Sequence, residues 1–224
     1  MLSAKDEERK RVRELAAEYA ERGDATGWFE QLYQEAAAGD TEIPWADMEP
    51  NRFFKAWAEK RGLVGGGRKA MVIGCGLGDD AIYLEQLGFD VTAFDISQTA
   101  IEWAKRLHPA SKVQFEQGNL LEPHSGWTGT FEFVLETYTI QPLPLELRPE
   151  VIDRVASLVA PGGELVVVAR GREDDEQPDQ LPWPLSRRDL SRFPENGLEQ
   201  VTFEEVPPEE EDDTPRFIVE YRRP

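Results

Sequence analysis

Apolar positions in this chain follow two periods in turn. Met71-Val72-Ile73, Val91-Thr92-Ala93-Phe94, Phe131-Glu132-Phe133-Val134-Leu135 and Glu164 to Ala169 are short apolar runs of the kind a strand buried on both faces requires. Between them the apolar residues recur at helical spacing. One set is Ala81, Ile82, Leu84 and Leu87, a second is Ala100, Ile101, Ala104 and Leu107, and a third is Val151, Ile152, Val155 and Leu158. The pattern predicts a strand at 71–73, a helix from Asp79 closed by Gly88, and a strand ending at Asp95. A helix capped by Ser97, a strand at 113–115 and a strand running into Glu136-Thr137-Tyr138 follow. A helix over 147–159 then leads through Pro161-Gly162-Gly163 into the most hydrophobic strand. Such alternation of strand and helix calls for a parallel sheet covered on both faces.

The flanks are more polar. Ser3-Ala4-Lys5-Asp6 reads as a capping box for a helix carrying Val12, Leu15, Ala16 and Tyr19, which Gly23 ends. Asp24 caps a second helix with Trp28, Leu32 and Ala36, and a third surrounds Phe53, Phe54, Trp57 and Ala58. Gly65-Gly66-Gly67 links these to the first strand. Residues 1–64 are therefore expected to form a helical cap over a sheet domain at 65–224. After Arg170 an acidic, proline-broken loop reaches Gln180, and Ser186 to Asp189 caps a short helix ending near Gly197. Val201-Thr202-Phe203 and Phe217 to Tyr221 read as a closing strand pair around a solvated acidic loop, Glu209 to Asp213.

The chemistry concentrates in Ala70 to Ser97. Gly74, Gly76 and Gly78 follow the first strand and open a helix, which lets the backbone approach a ligand closely. Asp95 ends the second strand about 20 residues on, where a carboxylate can accept hydrogen bonds from ribose hydroxyls. A dinucleotide site wants G-x-G-x-x-G, but the order here is G-x-G-x-G followed by Asp79-Asp80. Those carboxylates would repel a pyrophosphate and suit a neutral or cationic ligand. Cys75, between two glycines, reads as a small apolar filler.

Charge and cysteine content narrow the classes. The 224 residues carry 44 acidic and 25 basic side chains, a net charge of −19, which argues against nucleic-acid binding through phosphate neutralisation. One cysteine allows no internal disulfide, and with His108 and His124 it builds no recognisable metal site. No run approaches the roughly 18 apolar residues of a membrane span, and Met1 to Ala4 lead into charged residues rather than a signal sequence. A cytoplasmic protein, monomeric or weakly dimeric, is expected.

Several motifs resemble those of class I S-adenosylmethionine-dependent methyltransferases, nearest to the thiopurine and halide/thiol methyltransferases and their bacterial small-molecule relatives. They are Trp28 with Ile43-Pro44-Trp45, the V-x-G-C-G-x-G-x-D of Val72 to Asp80, Glu136 to Glu150 with Leu147-Arg148-Pro149, and Leu181-Pro182-Trp183-Pro184-Leu185-Ser186. The resemblance implies a Rossmann-like, doubly wound, seven-stranded sheet whose last strand is antiparallel. It implies S-adenosylmethionine as cofactor and S-adenosylhomocysteine as product. Trp28 and Trp45 would close over the cofactor, Gly74, Cys75, Gly76, Gly78 and Asp80 would form its loop, and Asp95 with Ile96 would hold the ribose. Asn119 and Leu120 would lie beside the adenine, and Glu136 near the methionyl end. Leu32 stands where the family has a second tryptophan. The acceptor would be a thiol or other soft small molecule, positioned by Glu136, Thr137, Tyr138 and Trp45 without a covalent intermediate. An oxygen or nitrogen acceptor needing a base, a nicotinamide oxidoreductase and a catalytically silent nucleoside-binding protein stay open as alternatives.

Overall fold

A computed structural model describes residues 4–122, 124, 126–178, 181–208 and 214–224. Ser3 of the expected capping box, the end of the acidic loop at Asp179-Gln180 and the run Glu209 to Asp213 lie outside the described residues. Three helices come first: α1 (Ala4–Glu21), α2 (Gly27–Ala38) and α3 (Arg52–Arg61). The sheet segment then runs β1 (Lys69–Ile73), α4 (Asp79–Gln86), β2 (Asp90–Asp95), α5 (Gln98–Leu107), β3 (Gln114–Gln117), β4 (Phe131–Thr137), α6 (Arg148–Leu158) and β5 (Val159–Arg172). The chain closes with β6 (Leu185–Ser186), α7 (Arg187–Leu190), α8 (Arg192–Glu195), β7 (Glu199–Val206) and β8 (Arg216–Arg222).

Seven strands lie in the order β3-β2-β1-β4-β5-β8-β7, and the two-residue β6 pairs alongside β5 as an eighth. Strands β1 to β5 are mutually parallel, and β8 runs antiparallel to both β5 and β7. Strand periodicity divides the core into two layers. Met71, Ile73, Val134, Leu165, Val167 and Val219 pack with α6 and α8 on one face. Ala70, Val72, Phe133, Leu135, Val166 and Val168 pack with α3, α4 and α5 on the other. Helix α3 is thus part of a sheet layer, through Phe54, Trp57 and Ala58. Helices α1 and α2 form a separate small cluster of Val12, Leu15, Trp28, Leu32 and Tyr33, which meets the sheet domain at Leu77 and Ala100.

Three local expectations change. Pro161-Gly162-Gly163 lies inside β5, where the pairing shifts between Phe131–Val159 and Phe133–Glu164. The short helix after Ser186 is two helical turns, divided at Ser191. The second helix has Thr26 at its N-cap, although the Asp24 carboxylate still accepts from the N–H groups of Thr26 and Gly27 at 3.1 and 2.8 Å. Ser97 caps α5 as expected, accepting from Ala100 N at 2.9 Å.

Candidate active site

The strand order turns at β1, with β2 and β3 on one side and β4 on the other. In open α/β sheets the crevice beyond the strand ends at such a point is where ligands bind. A cavity of about 1130 Å³ occupies that place, walled by the ends of β1, β2, β4 and β5 and by the segment between α1 and α3.

Its near half comes from the turn after β1 and the end of β2. Cys75 N donates to the Phe94 carbonyl at 2.9 Å, which holds the turn against β2. The Asp95 carboxylate accepts from Gly76 N through Oδ2 and from Ser97 N through Oδ1, each at 2.9 Å. Burial pushes its pKa up to about 6 against those two N–H bonds. Asp95 is only 6% exposed, so it is a buried brace of the turn as well as a strand end. Gly76 has φ of 54°, and a Cβ there would lie 2.9 Å from the Tyr33 hydroxyl. A side chain there would be strained and would press on Tyr33. Asp80 Oδ1 accepts from Asn51 N at 2.7 Å, and burial lifts this carboxyl to about 6 as well.

Helix α2 roofs this half. Trp28 is buried, stacked on Phe29 at 3.7 Å and edge-on to Trp45 at 6.3 Å. Trp45, 41% exposed, stands at the rim with Nε1 donating to the Tyr33 hydroxyl at 3.0 Å. Glu30 ties the roof to the floor. It accepts from Ser97 Oγ at 2.7 Å, Thr99 N at 3.1 Å and Thr99 Oγ1 at 2.6 Å. Asn119 and Leu120 line the cavity beyond β3, but the Asn119 amide is engaged locally, accepting from Leu121 N and donating to Glu122.

The far half gathers at the tip of β4 and the ends of β5 and β8. Thr137, Tyr138 and Thr139 line it, and Thr139 Oγ1 donates to the Ile73 carbonyl at 2.9 Å, stitching β4 to β1. Tyr138 has φ of 58°, a region bulky residues seldom adopt, and its hydroxyl accepts from Arg216 Nε at 3.0 Å. Two of the motif stretches meet behind this wall. Arg148 donates to the Trp183 carbonyl at 2.8 Å, and Trp183 N donates to the Gln141 carbonyl at 3.0 Å.

The expected site residues therefore divide. Trp28, Trp45, Gly74, Cys75, Gly76, Asp80, Asp95, Ile96, Asn119, Leu120, Thr137 and Tyr138 line one cavity. Gly78 and Glu136 are not among the lining residues. Gly78 packs α4 against β3, where a Cβ would lie 2.8 Å from the Phe115 ring. Glu136 is fully buried, and its Oε1 accepts from Thr139 N at 2.7 Å and Ile140 N at 2.9 Å, bracing the turn after β4. Burial raises its pKa to about 7. Leu32 is buried in the α1–α2 cluster. Sequence reasoning missed Phe29, Glu30, Tyr33, Thr139, Arg170 and Arg216. Phe29 and Tyr33 carried a signal, since two aromatics at i and i+4 share a helix face. Among the described residues no cluster of His, Cys, Asp and Glu is arranged to hold a metal ion, and no helix is long and apolar enough to cross a membrane.

A family model described as a methyltransferase domain matches residues 70–163, from β1 into β5. NodS of Bradyrhizobium japonicum, an N-methyltransferase solved with S-adenosyl-L-homocysteine, superposes with a TM-score of 0.66 at 17% identity, over 87% of this chain and 98% of that one. The fold is that of the class I methyltransferases. Curated relatives extend the likeness. The chain is 25% identical over 132 residues to the "Probable S-adenosyl-L-methionine-dependent methyltransferase TehB" of Haemophilus influenzae, which covers 59% of this chain and 44% of TehB. It is 25% identical over 150 residues to the 2-heptyl-1-hydroxyquinolin-4(1H)-one methyltransferase of Mycobacteroides abscessus, over 66% of this chain and 64% of that one. The chain thus spans less than two thirds of the length of either relative.

Proposed function

We propose that this protein transfers a methyl group from S-adenosylmethionine to a small-molecule nucleophile, a thiol or another soft acceptor. The observation that carries the reading is the Asp95 carboxylate. It is fixed between the N–H groups of Gly76 and Ser97 at the strand-order switch, on the wall of a cavity of about 1130 Å³. An acid so placed accepts from the vicinal hydroxyls of a ribose. The donor set around it fits a nucleoside bearing a sulfonium better than a dinucleotide. Asp79, Asp80 and Asp95 line the near half, where a pyrophosphate would meet three carboxyl groups.

S-adenosylmethionine supplies an activated methyl group, which passes in line to the acceptor's lone pair as its bond to the sulfonium breaks, leaving the neutral thioether. The protein's part is to bind, orient and exclude water. Gly74 to Gly76 let the backbone come close, while Trp28, Phe29 and Trp45 supply apolar walls and aromatic faces to a cation. Thr137 and Tyr138 bound the space where the acceptor meets the methyl group. Among the described residues no histidine lines the cavity, and Glu136 Oε1 is turned toward backbone N–H groups. That arrangement favours a nucleophile needing no dedicated base. A thiol, with a pKa of about 8.5, ionises with little help.

The resemblance of the motif stretches to thiol methyltransferases and the likeness to a quinolone-directed enzyme both support a small acceptor. The test is transfer of an isotopically labelled methyl group from S-adenosylmethionine to an aromatic thiol, its phenol and its aniline. Label is expected in the thioether first. Label appearing in the phenol or aniline and never in the thiol would reverse the acceptor assignment.

A further inference from the structure

The loop after β4 is tied to both neighbouring strands. Thr139 Oγ1 donates to the Ile73 carbonyl of β1, and Gln141 Oε1 accepts from Arg170 N of β5 at 2.9 Å. The second tie fills a gap in the sheet. Tyr138 N still donates to the Val168 carbonyl, and a parallel ladder continued from there would bring the Tyr138 carbonyl to Arg170 N. Tyr138 instead has φ of 58°, and the Gln141 amide oxygen takes that place.

This bond fixes the polarity of the amide. A backbone N–H can only donate, so the oxygen is the end that meets Arg170 N and the NH2 is the end that does not. Gln141 is 3% exposed and lines the cavity, and among the described residues nothing accepts from its Nε2. Its backbone is held as well, with Trp183 N donating to the Gln141 carbonyl at 3.0 Å. Two N–H donors are thus left to the cavity on an amide whose other end is pinned to the sheet. The wall that carries them is apolar at Pro142, Leu143, Leu181 and Pro182, and a proline has no N–H to compete.

Bracing alone does not call for glutamine. At the same end of the sheet Asp80, Asp95 and Glu136 serve backbone N–H groups with carboxylates. A glutamate at 141 would accept from Arg170 N equally well, so what the amide adds is a donor. We propose, resting on the methyl-transfer reading for the identity of the ligand, that Gln141 Nε2 donates to a carbonyl oxygen of the methyl acceptor and so helps to select it. Strand β4 lies between β1 and β5. An acceptor laid across its tip sets its oxygen at Gln141, beside β5, and its nucleophile toward the glycine turn after β1. An analogue without that oxygen covers the amide and leaves its donors unpaired, which discriminates more strongly than an apolar pocket does.

The probes are acetophenone and α-methylstyrene, which match in shape and exchange a carbonyl oxygen for a methylene. Each is titrated into the ¹⁵N-labelled full chain, with and without S-adenosylhomocysteine, and followed by amide resonances. The Gln141 side-chain pair is assigned by its absence from Gln141→Met. Acetophenone is expected to shift that pair saturably, and α-methylstyrene to leave it in place. Gln141→Met should weaken acetophenone about tenfold and α-methylstyrene less than about twofold. Gln141→Glu keeps an acceptor for Arg170 N but reverses the polarity toward the cavity, so it should weaken acetophenone at least as much. It also carries the test if the methionine variant fails to fold. Acetophenone binding that leaves the Gln141 pair unmoved overturns the assignment, as does equal affinity in wild type and Gln141→Glu, or no binding to either. Failure of S-adenosylhomocysteine to bind, with the acetophenone response intact, would instead count against the methyl-transfer reading and leave the carbonyl subsite standing.

Discussion

Around Asp95 the cavity wall comes from one run of chain, residues 71–97, closed by bonds between groups about a helix apart. Asp95 meets Gly76 across 19 positions and Ser97 across two. Around Arg216 the wall is assembled from distant segments. Arg216 reaches Tyr138 across 78 positions, and Arg148 reaches Trp183 across 35. The methyltransferase-domain match covers residues 70–163, so it takes in the glycine turn, Asp95 and the tip of β4 and ends before Arg170 and Arg216. The contrast separates two jobs. A local, backbone-built half can hold an invariant ligand, while a convergent, side-chain-built half can be retuned to a different acceptor without disturbing the first.

The largest effect expected concerns Glu136, which is buried and accepts from the turn after β4. Its folded pKa of about 7 lies above the ordinary carboxylate value, because burial disfavours the charge. Between those values the folded chain holds a proton that the unfolded chain has released. Stability is therefore full at low pH and falls as pH rises toward 7, by on the order of 3 kcal/mol. Glu136→Gln, which keeps an acceptor for Thr139 N and Ile140 N, should flatten the upper part of that slope and leave methyl transfer within a few-fold. Chemical denaturation from pH 4 to 8 reads the slope. Loss of turnover in a folded, pH-flat variant would return Glu136 to the chemistry.

Next in size is Asp95→Ala. S-adenosylhomocysteine binding should weaken by roughly 1.5–3 kcal/mol. The same variant should lose stability, because Gly76 N and Ser97 N lose their acceptor. In the wild type, S-adenosylhomocysteine affinity should fall as pH drops through about 6, where Asp95 takes up its proton and no longer accepts fully from the ribose. A ligand affinity flat from pH 5 to 8 would detach Asp95 from the nucleoside.

Much of the near half was legible because its signals are local. Apolar runs marked β1 and β2, the glycines marked the turn, and chain spacing placed Asp95. The direction of Glu136 was also legible in principle. Alternation along β4 puts Val134 and Glu136 on one face and Leu135 and Thr137 on the other, so the two acceptor-side candidates could not both face the same space. Motif likeness overrode that alternation. The far half was not legible. Pairing Arg170 with Arg216 needs the β5–β8 register, which joins residues 46 positions apart. The Glu30 latch was hidden for a similar reason, being a surface-looking acid whose partners are 67 and 69 positions distant.

The smallest expected effect tests whether the roof belongs with the near half. Glu30→Gln should weaken the tie between α2 and the Ser97–Thr99 turn by about 1 kcal/mol. Hydrogen exchange should then show S-adenosylhomocysteine protecting residues 28–47 less well in the variant than in the wild type. Equal protection in both would make α2 a packing element rather than a lid.

The most direct measurement is a calorimetric titration of the full chain with S-adenosylhomocysteine, beside a nicotinamide dinucleotide. Saturable one-site binding of the nucleoside thioether is expected, abolished or greatly weakened in Asp95→Ala, with no binding of the dinucleotide. Silence with S-adenosylhomocysteine and S-adenosylmethionine alike, alongside tight dinucleotide binding, would contradict it.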